Sequence, residues 1–240
     1  MATATTGFVL LDDFLPEILQ YVNGAPTIMV RTHVRNAIIH FCERTLLLKR
    51  QPSTFYLDEE EHTYELKYNN DRYRAIAIQE CQEGSGDNGR VISETTEHWL
   101  DHTIKNWRED TGSQPSRCFL TDETNKIRFY PEPTADGDDE IYMNTAVTYK
   151  RSMTECDEFI WERWEEVIQA GALESLLRIP KASWVDGKLA DEFGRKWKRG
   201  IRNARKSVLG GTSQKPTGAV PQNFEVVGSN HTDGRSNSWV

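Results

Sequence analysis

Apolar residues recur at steps of three and four up to about residue 48, alternate through the middle of the chain, and return to helical spacing near residue 152. In the first stretch, 12–22 (DDFLPEILQYV) reads as a short helix, with Asp12 or Asp13 as its cap and Gly24 just past its end. After Pro26, Thr27 caps a longer helix running to about Leu48. Val30, Val34, Ala37, Ile38, Phe41, Thr45 and Leu48 form its buried face, and Arg31, Arg35 and Arg44 its wet one.

Pro52 opens the alternating part. Tyr64, Leu66 and Tyr68 interleave with Glu65 and Lys67 as in a half-buried strand, and 74–79 (RAIAIQ) is a second strand. A flexible turn is expected at 83–90 (EGSGDNGR), a helix at 93–110, and strands at 117–121 and 126–130. An acidic, turn-rich loop at 131–139 precedes a full alternating strand at 140–150. Connections of hairpin length predominate, so 52–151 reads as a mostly antiparallel β insertion.

Ser152 and Glu155 stand at capping-box spacing where the helical period resumes. Ile160, Trp164, Val167, Ile168 and Gly171 share one face; Glu155, Glu158, Glu162, Glu165 and Glu166 share the other. Pro180 ends this helix. The next starts near Asp186 and buries Leu189, Phe193, Trp197, Gly200, Ile201, Ala204 and Val208, opposite Lys188, Arg195, Arg199, Arg202 and Lys206. The stretch 195–206 holds seven basic residues and no acid. The expected fold class is therefore α+β. Its helical core is built from 8–50 and a hairpin at 152–209, with the β domain (52–151) inserted and an extended C-terminal arm at 210–240. Gly, Ser, Thr, Asn and Pro dominate the arm, whose one apolar knot is 224–227 (FEVV). Alone it buries too little surface to offset its ordering entropy, so it is flexible or ordered by a partner.

Composition narrows the classes. No run approaches the ~18 apolar residues of a membrane span, and Met1 to Gly7 carries no basic residue of a secretory signal. A soluble protein made in the cytoplasm is expected, with no membrane partner. Cys42, Cys81, Cys118 and Cys156 are scattered and form no C-x-x-C pair, which suits free thiols better than a disulfide framework or zinc knuckle. A formal charge of −8 argues against a dedicated nucleic-acid binder, yet suits a wall past which DNA slides without sticking.

Candidate chemistry is sparse. Asp110-Thr111-Gly112-Ser113 matches the aspartic-protease tetrapeptide, but it follows a helix-like stretch rather than an apolar strand, so Gly112 reads as a helix stop within a turn. His98 and His102 have metal-ligand spacing without the glutamate of a zinc hydrolase or a nameable third ligand. Asp136, Asp138, Asp139 and Glu140 miss the twelve-residue calcium loop and read as a solvated hairpin tip. No P-loop, dinucleotide fingerprint or serine elbow occurs, and no cofactor or metal is expected.

The charge-segregated helices say more. Usually a charged stripe is only the wet face of a helix. A glutamate face on one helix and an arginine face on the next, both pointing away from their shared core, are instead suited to pair between neighbours in a head-to-tail ring. Asp191 and Glu192 hold Arg195 and Lys196 locally at i,i+4 in this reading. Candidate interface residues are Glu158, Glu162, Glu165, Glu166, Arg195, Arg199, Arg202 and Lys206, with Phe224, Val226 and Val227 of the arm.

Five stretches occur in a telling order: LDDFLPEILQYVNGAP; AIIHFCERT; NWREDTGSQPSRC; KIRFYPEP before a long strand; and WERWEEVIQAGALESLLRIPKASWVDGKLADEFGRKWKRGI. In the last, Trp164, Gly171-Ala172, Leu176-Leu177, Pro180, Trp184, Leu189-Ala190, Phe193 and Gly200 carry the most specific match. Over roughly residues 8–209 the chain resembles the head-to-tail connector adaptors (tail accessory or head-completion proteins) of tailed bacteriophages. The helix at 93–106 and the Glu-rich turn at 58–61 are longer than usual there.

The resemblance implies a non-enzymatic virion protein at the head–tail junction, assembled in the host cytoplasm. It would form a homo-oligomeric ring, commonly of about twelve copies, under the portal protein. Such a ring extends the DNA channel without sequence-specific contact to the passing genome, seals the packaged head, and offers a platform for tail (nozzle or tail-tube) proteins. A terminal arm often grips the portal or a neighbour, and 224–227 is suited to add as a strand to a partner's sheet edge. Two alternatives stay open: a peptidoglycan-degrading virion enzyme using an unselected carboxylate pair, and a DNA-binding module using the 195–206 stripe.

Overall fold

The computed structural model describes residues 7–58, 61–84, 89–112, 114–134 and 139–209. Strand β1 (Phe8–Leu10) leads through a 3-10 turn, Leu11–Phe14, into α1 (Leu15–Tyr21) and then α2 (Thr27–Thr45). The expected caps are absent. Neither Asp12 nor Asp13 caps the first helix, because Asp12 accepts two hydrogen bonds from Arg31 at 2.6 and 2.7 Å. Thr27 is the first helical residue of α2 rather than its cap. Gly24, at φ +85°, makes the turn between α1 and α2, a conformation a Cβ would strain.

Helix α2 stops three residues before Leu48. Leu46 adopts the left-handed conformation and its N–H reaches the Cys42 carbonyl, closing the helix. Leu48 remains buried beyond that turn. The buried face is also wider than one stripe, since Ile39 and Cys42 join it where α2 packs on both a helix and a strand. Arg31 and Arg35 are half-buried rather than wet, and Arg35 donates to the Met153 carbonyl.

After β2 (Lys49–Arg50) come β3 (Tyr64–Glu65), β4 (Tyr73–Glu83), β5 (Arg90–Val91) and β6 (Ser93–Glu94). Helix α3 (Glu97–Thr103) follows, then β7 (Thr111–Gly112), β8 (Arg117–Leu120), β9 (Lys126–Tyr130), β10 (Glu132–Pro133), β11 (Ile141–Tyr149) and β12 (Glu155–Asp157). Two four-stranded sheets run in the orders β2-β11-β4-β5 and β3-β9-β8-β6. Most pairings are antiparallel, but β6 with β8 and β10 with β7 are parallel. The turns expected at 83–90 and 131–139 fall partly outside the described residues, and the arm at 210–240 wholly outside them.

Three expectations need correction. The helix at 93–110 shrinks to seven residues: Ser93 and Glu94 are claimed by β8, Thr96 caps α3 by accepting from the Trp99 N–H, and Asn106 turns the chain at φ 58°. Gly112 does not stop a helix; it pairs with Pro133 in β10. The capping box at 152–155 does not form, because Glu155 belongs to β12, paired antiparallel with β1, and α4 starts only at Glu158.

Helix α4 (Glu158–Leu176) and α5 (Gly187–Leu209) then close the α+β fold. The main core joins α1, α2, α4 and α5, and it includes Tyr73, Val147 and Tyr149 from the near ends of β4 and β11. The far ends of those strands contribute Ile78, Cys81, Ile141 and Met143 to a second core between the two sheets. A third, small cluster gathers Leu100, Trp107, Phe119 and Tyr130 under α3.

Candidate assembly surface

The hairpin of α4 and α5 is held by size. A Cβ on Gly171 would come within 2.8 Å of the Trp197 ring, and one on Gly200 would collide with Val167. One on Gly194 would come within 2.8 Å of the Glu174 carboxylate. The three contacts step in opposite directions along the two helices, so the pair is antiparallel and close. Phe41 of α2 fills the space beneath, its ring 5.4 Å from Trp164 and 6.0 Å from Trp197. Asp186 caps α5 by accepting from the backbone N–H of Lys188 and of Leu189.

What the hairpin leaves outside is charge. Glu158, Glu162 and Glu166 on α4 are exposed, as are Arg195, Lys198, Arg199, Arg202, Arg205 and Lys206 on α5. Glu165 is half-buried and accepts from Gln169; burial, then the nearby Glu17 carboxylate, raises its pKa. Lys196 pairs with Glu192 at 3.7 Å, but Asp191 pairs with Arg178 at 2.6 Å and leaves Arg195 unengaged, against expectation. Among the described residues, none of the eight candidate positions on the two helices makes an ion pair.

Two grooves flank α5. One, of about 580 Å³, is lined by Arg44 of α2 and by Arg195, Lys198, Arg199, Arg202 and Arg205, with Ile201 the one apolar wall. No acid and no α4 residue lines it. Arg205 closes its end by donating from Nε to the Arg44 carbonyl at 2.6 Å, in the last turn of α2 where carbonyls lack helical partners. The other groove, of about 500 Å³, lies among α1, α4 and α5 over Tyr21, Leu173 and Phe193, and Glu166 and Arg199 both line it.

That arrangement offers charged surfaces for binding. A scan of protein families decides what kind of binder it is: the sequence model described as SU10 adaptor protein matches residues 10–217. The chain belongs to the SU10 adaptor protein family. It is thus a bacteriophage adaptor, a structural component of the virion. No curated protein matches it.

Other candidates have ordinary surroundings in this adaptor. Asp110 accepts from the Tyr130 hydroxyl at 2.6 Å, and Ser113 lies outside the described residues. The His98 and His102 rings lie tilted against each other at 4.2 Å, with His102 Nδ1 at 2.9 Å from the His98 carbonyl. Among the described residues no three metal-ligating side chains converge, and no helix is long and apolar enough to cross a membrane. Glu140 meets the hydroxyls of Tyr142 and Tyr56, while Asp136 and Asp138 lie outside the described residues. All four cysteines are free and buried; burial, then Asp157, pushes the Cys156 thiol up to about 12. Phe224, Val226 and Val227 also lie outside the described residues.

Sequence reasoning missed one group altogether. Asp157, fully buried at the start of α4, receives the hydroxyls of Tyr149 and Tyr73 and pairs with Arg50, while its own N–H reaches the Tyr149 oxygen. This hub joins the helices to β2, β4 and β11. A lone Asp before a helix signals a cap, but its side chain makes no cap bond here, and partners so far along the chain leave no local trace.

Proposed function

We propose that this adaptor works at the head-to-tail junction, as a ring bound to the portal protein. There it extends the DNA channel, seals the packaged head, and carries tail nozzle or tail-tube proteins. The helical parts 8–50 and 152–209 would form the ring body, the β part 52–151 the platform, and the arm 210–240 the grip on a portal or neighbour. One observation carries this reading: an α4–α5 hairpin close-packed within, on which Glu158, Glu162, Glu165, Glu166, Arg195, Arg199, Arg202 and Lys206 make no ion pair among the described residues.

Docking tests it. Purified chain added to portal-bearing phage heads that lack their own adaptor should bind as a ring and restore tail attachment. A chain deleted for 210–240 should keep its circular dichroism and melting profile but fail to attach. Full attachment without the arm removes its proposed role. A folded chain that docks on no vertex component removes the proposal.

The basic groove lends some weight to a DNA-binding reading. That reading requires tight, salt-sensitive binding of duplex DNA by the free chain, and weak binding would set it aside.

A further inference from the structure

We infer that the acidic ridge of α4 on one copy docks into the basic groove of α5 on the next, so that the same hairpin supplies both halves of a closed-ring contact. This rests on the adaptor reading above and names the surfaces that reading leaves open. Three observations carry it.

The first is level. Val167 meets Gly200, Gly171 meets Trp197 and Glu174 meets Gly194. Continuing that antiparallel register places Glu166 level with Arg202, and Glu162 level with Lys206. The acidic and basic patches therefore overlap in height where Glu162 and Glu166 stand level with Lys206 and Arg202. A head-to-tail contact between patches that overlap in height can repeat by rotation and close into a ring, whereas patches at different heights would climb into a filament.

The second is separation. The basic groove is lined by α5 and by Arg44 of α2, with nothing from α4, so its cations, apart from Arg199, which also lines the other groove beside Glu166, stand away from the glutamates of α4 in their own subunit. The third is spacing. Glu158, Glu162 and Glu166 follow at four-residue steps, about 6 Å apart along the helix, and Arg195, Arg199 and Arg202 follow at steps of four and three. Two such rows can interleave side by side. An acidic helix suits this groove better than a duplex does. DNA would extend past the groove along a protein of net charge −8, whereas a helix ridge ends where the cations end.

The test is a charge swap in the full chain. One variant carries Arg202→Glu with Lys206→Glu; the other carries Glu162→Lys with Glu166→Lys. Mass is measured for each free and on portal-bearing heads, beside circular dichroism to verify folding. Each variant alone should assemble at least about tenfold more weakly than the parent. An equimolar mixture of the two should assemble as the parent does, because every contact again joins opposite charges, and misfolded variants could not rescue each other. If folded single variants assemble like the parent, or the mixture fails to recover, the proposed contact is wrong while the adaptor reading stands. If the parent itself neither multimerises nor docks, both fall.

Discussion

Between α4 and α5 the helices touch through glycine; where α4 meets the sheet, contact runs through a buried carboxylate. The first seam is apolar and depends on missing atoms: Gly171 and Gly200 leave room for Trp197 and Val167. The second is polar and depends on atoms being present, since Asp157 gathers two tyrosine hydroxyls and a guanidinium at full burial. Volume errors at the first seam are graded. A lost partner at the second strands several desolvated groups at once.

The sharpest break of this comparison is therefore Asp157→Ala. It leaves Arg50 charged and unpaired, and should cost about 3–5 kcal/mol. Thermal melting should show a larger fall than any single substitution at the glycine seam. Asp157→Asn, which keeps an acceptor for the tyrosines, should lose less. Equal losses would mean that the charge of Asp157 accounts for the whole effect and that accepting from the tyrosines adds nothing.

At the glycine seam the expected losses are smaller and ordered. Gly200→Val forces a branched side chain against Val167 and should cost about 1–3 kcal/mol. Gly194→Ala meets only the end of the flexible Glu174 side chain, which can move aside. Helix propensity then makes that change neutral or stabilising by up to about 1 kcal/mol. Chemical denaturation of both variants decides, and a destabilising Gly194→Ala would show that Glu174 is fixed.

The two seams were unequally legible. Spacing alone exposed the α5 stripe through Phe193, Trp197 and Ile201, and the α2 stripe through Val30 and Phe41, because a helix packs along one face wherever its partner comes from. The charged flanks followed from the same spacing. What spacing could not expose is any element fixed by a remote strand. Ser93 and Glu94 look helical until β8 takes them, and 152–155 looks like a capping box until β1 pairs with β12 from the opposite end of the chain. Asp157 belongs to that class too, with partners at 50, 73 and 149.

Alkali probes the polar hub more gently. Burial, with the Asp157 carboxylate adding to it, raises the Tyr149 phenol well above the ordinary tyrosine range. As pH passes about 10, the unfolded chain releases this proton while the folded one retains it, so unfolding is favoured. The Tyr149 contribution to stability should be level below that pH and decline above it, whereas buried thiols such as Cys156 begin to weigh against folding at somewhat lower pH. Tyr149→Phe should give a shallower decline in melting temperature, and an unchanged slope would place the alkaline loss elsewhere, Tyr73 being the next group to replace.

The smallest effect expected on the folded subunit comes from the outer flanks, and that smallness is informative. Glu162 and Arg202 are exposed and make no ion pair among the described residues, so Glu162→Lys and Arg202→Glu should each move stability by no more than about 0.5 kcal/mol. Charges without a role would leave assembly equally unmoved. Charges kept for a neighbour would not: assembly should weaken while melting stays constant, and added salt should weaken the parent toward the variants. Measuring both quantities on the same two variants separates a wet helix face from an interface waiting for its other half. A fall in melting temperature matching the loss of assembly would mean these side chains serve the fold itself.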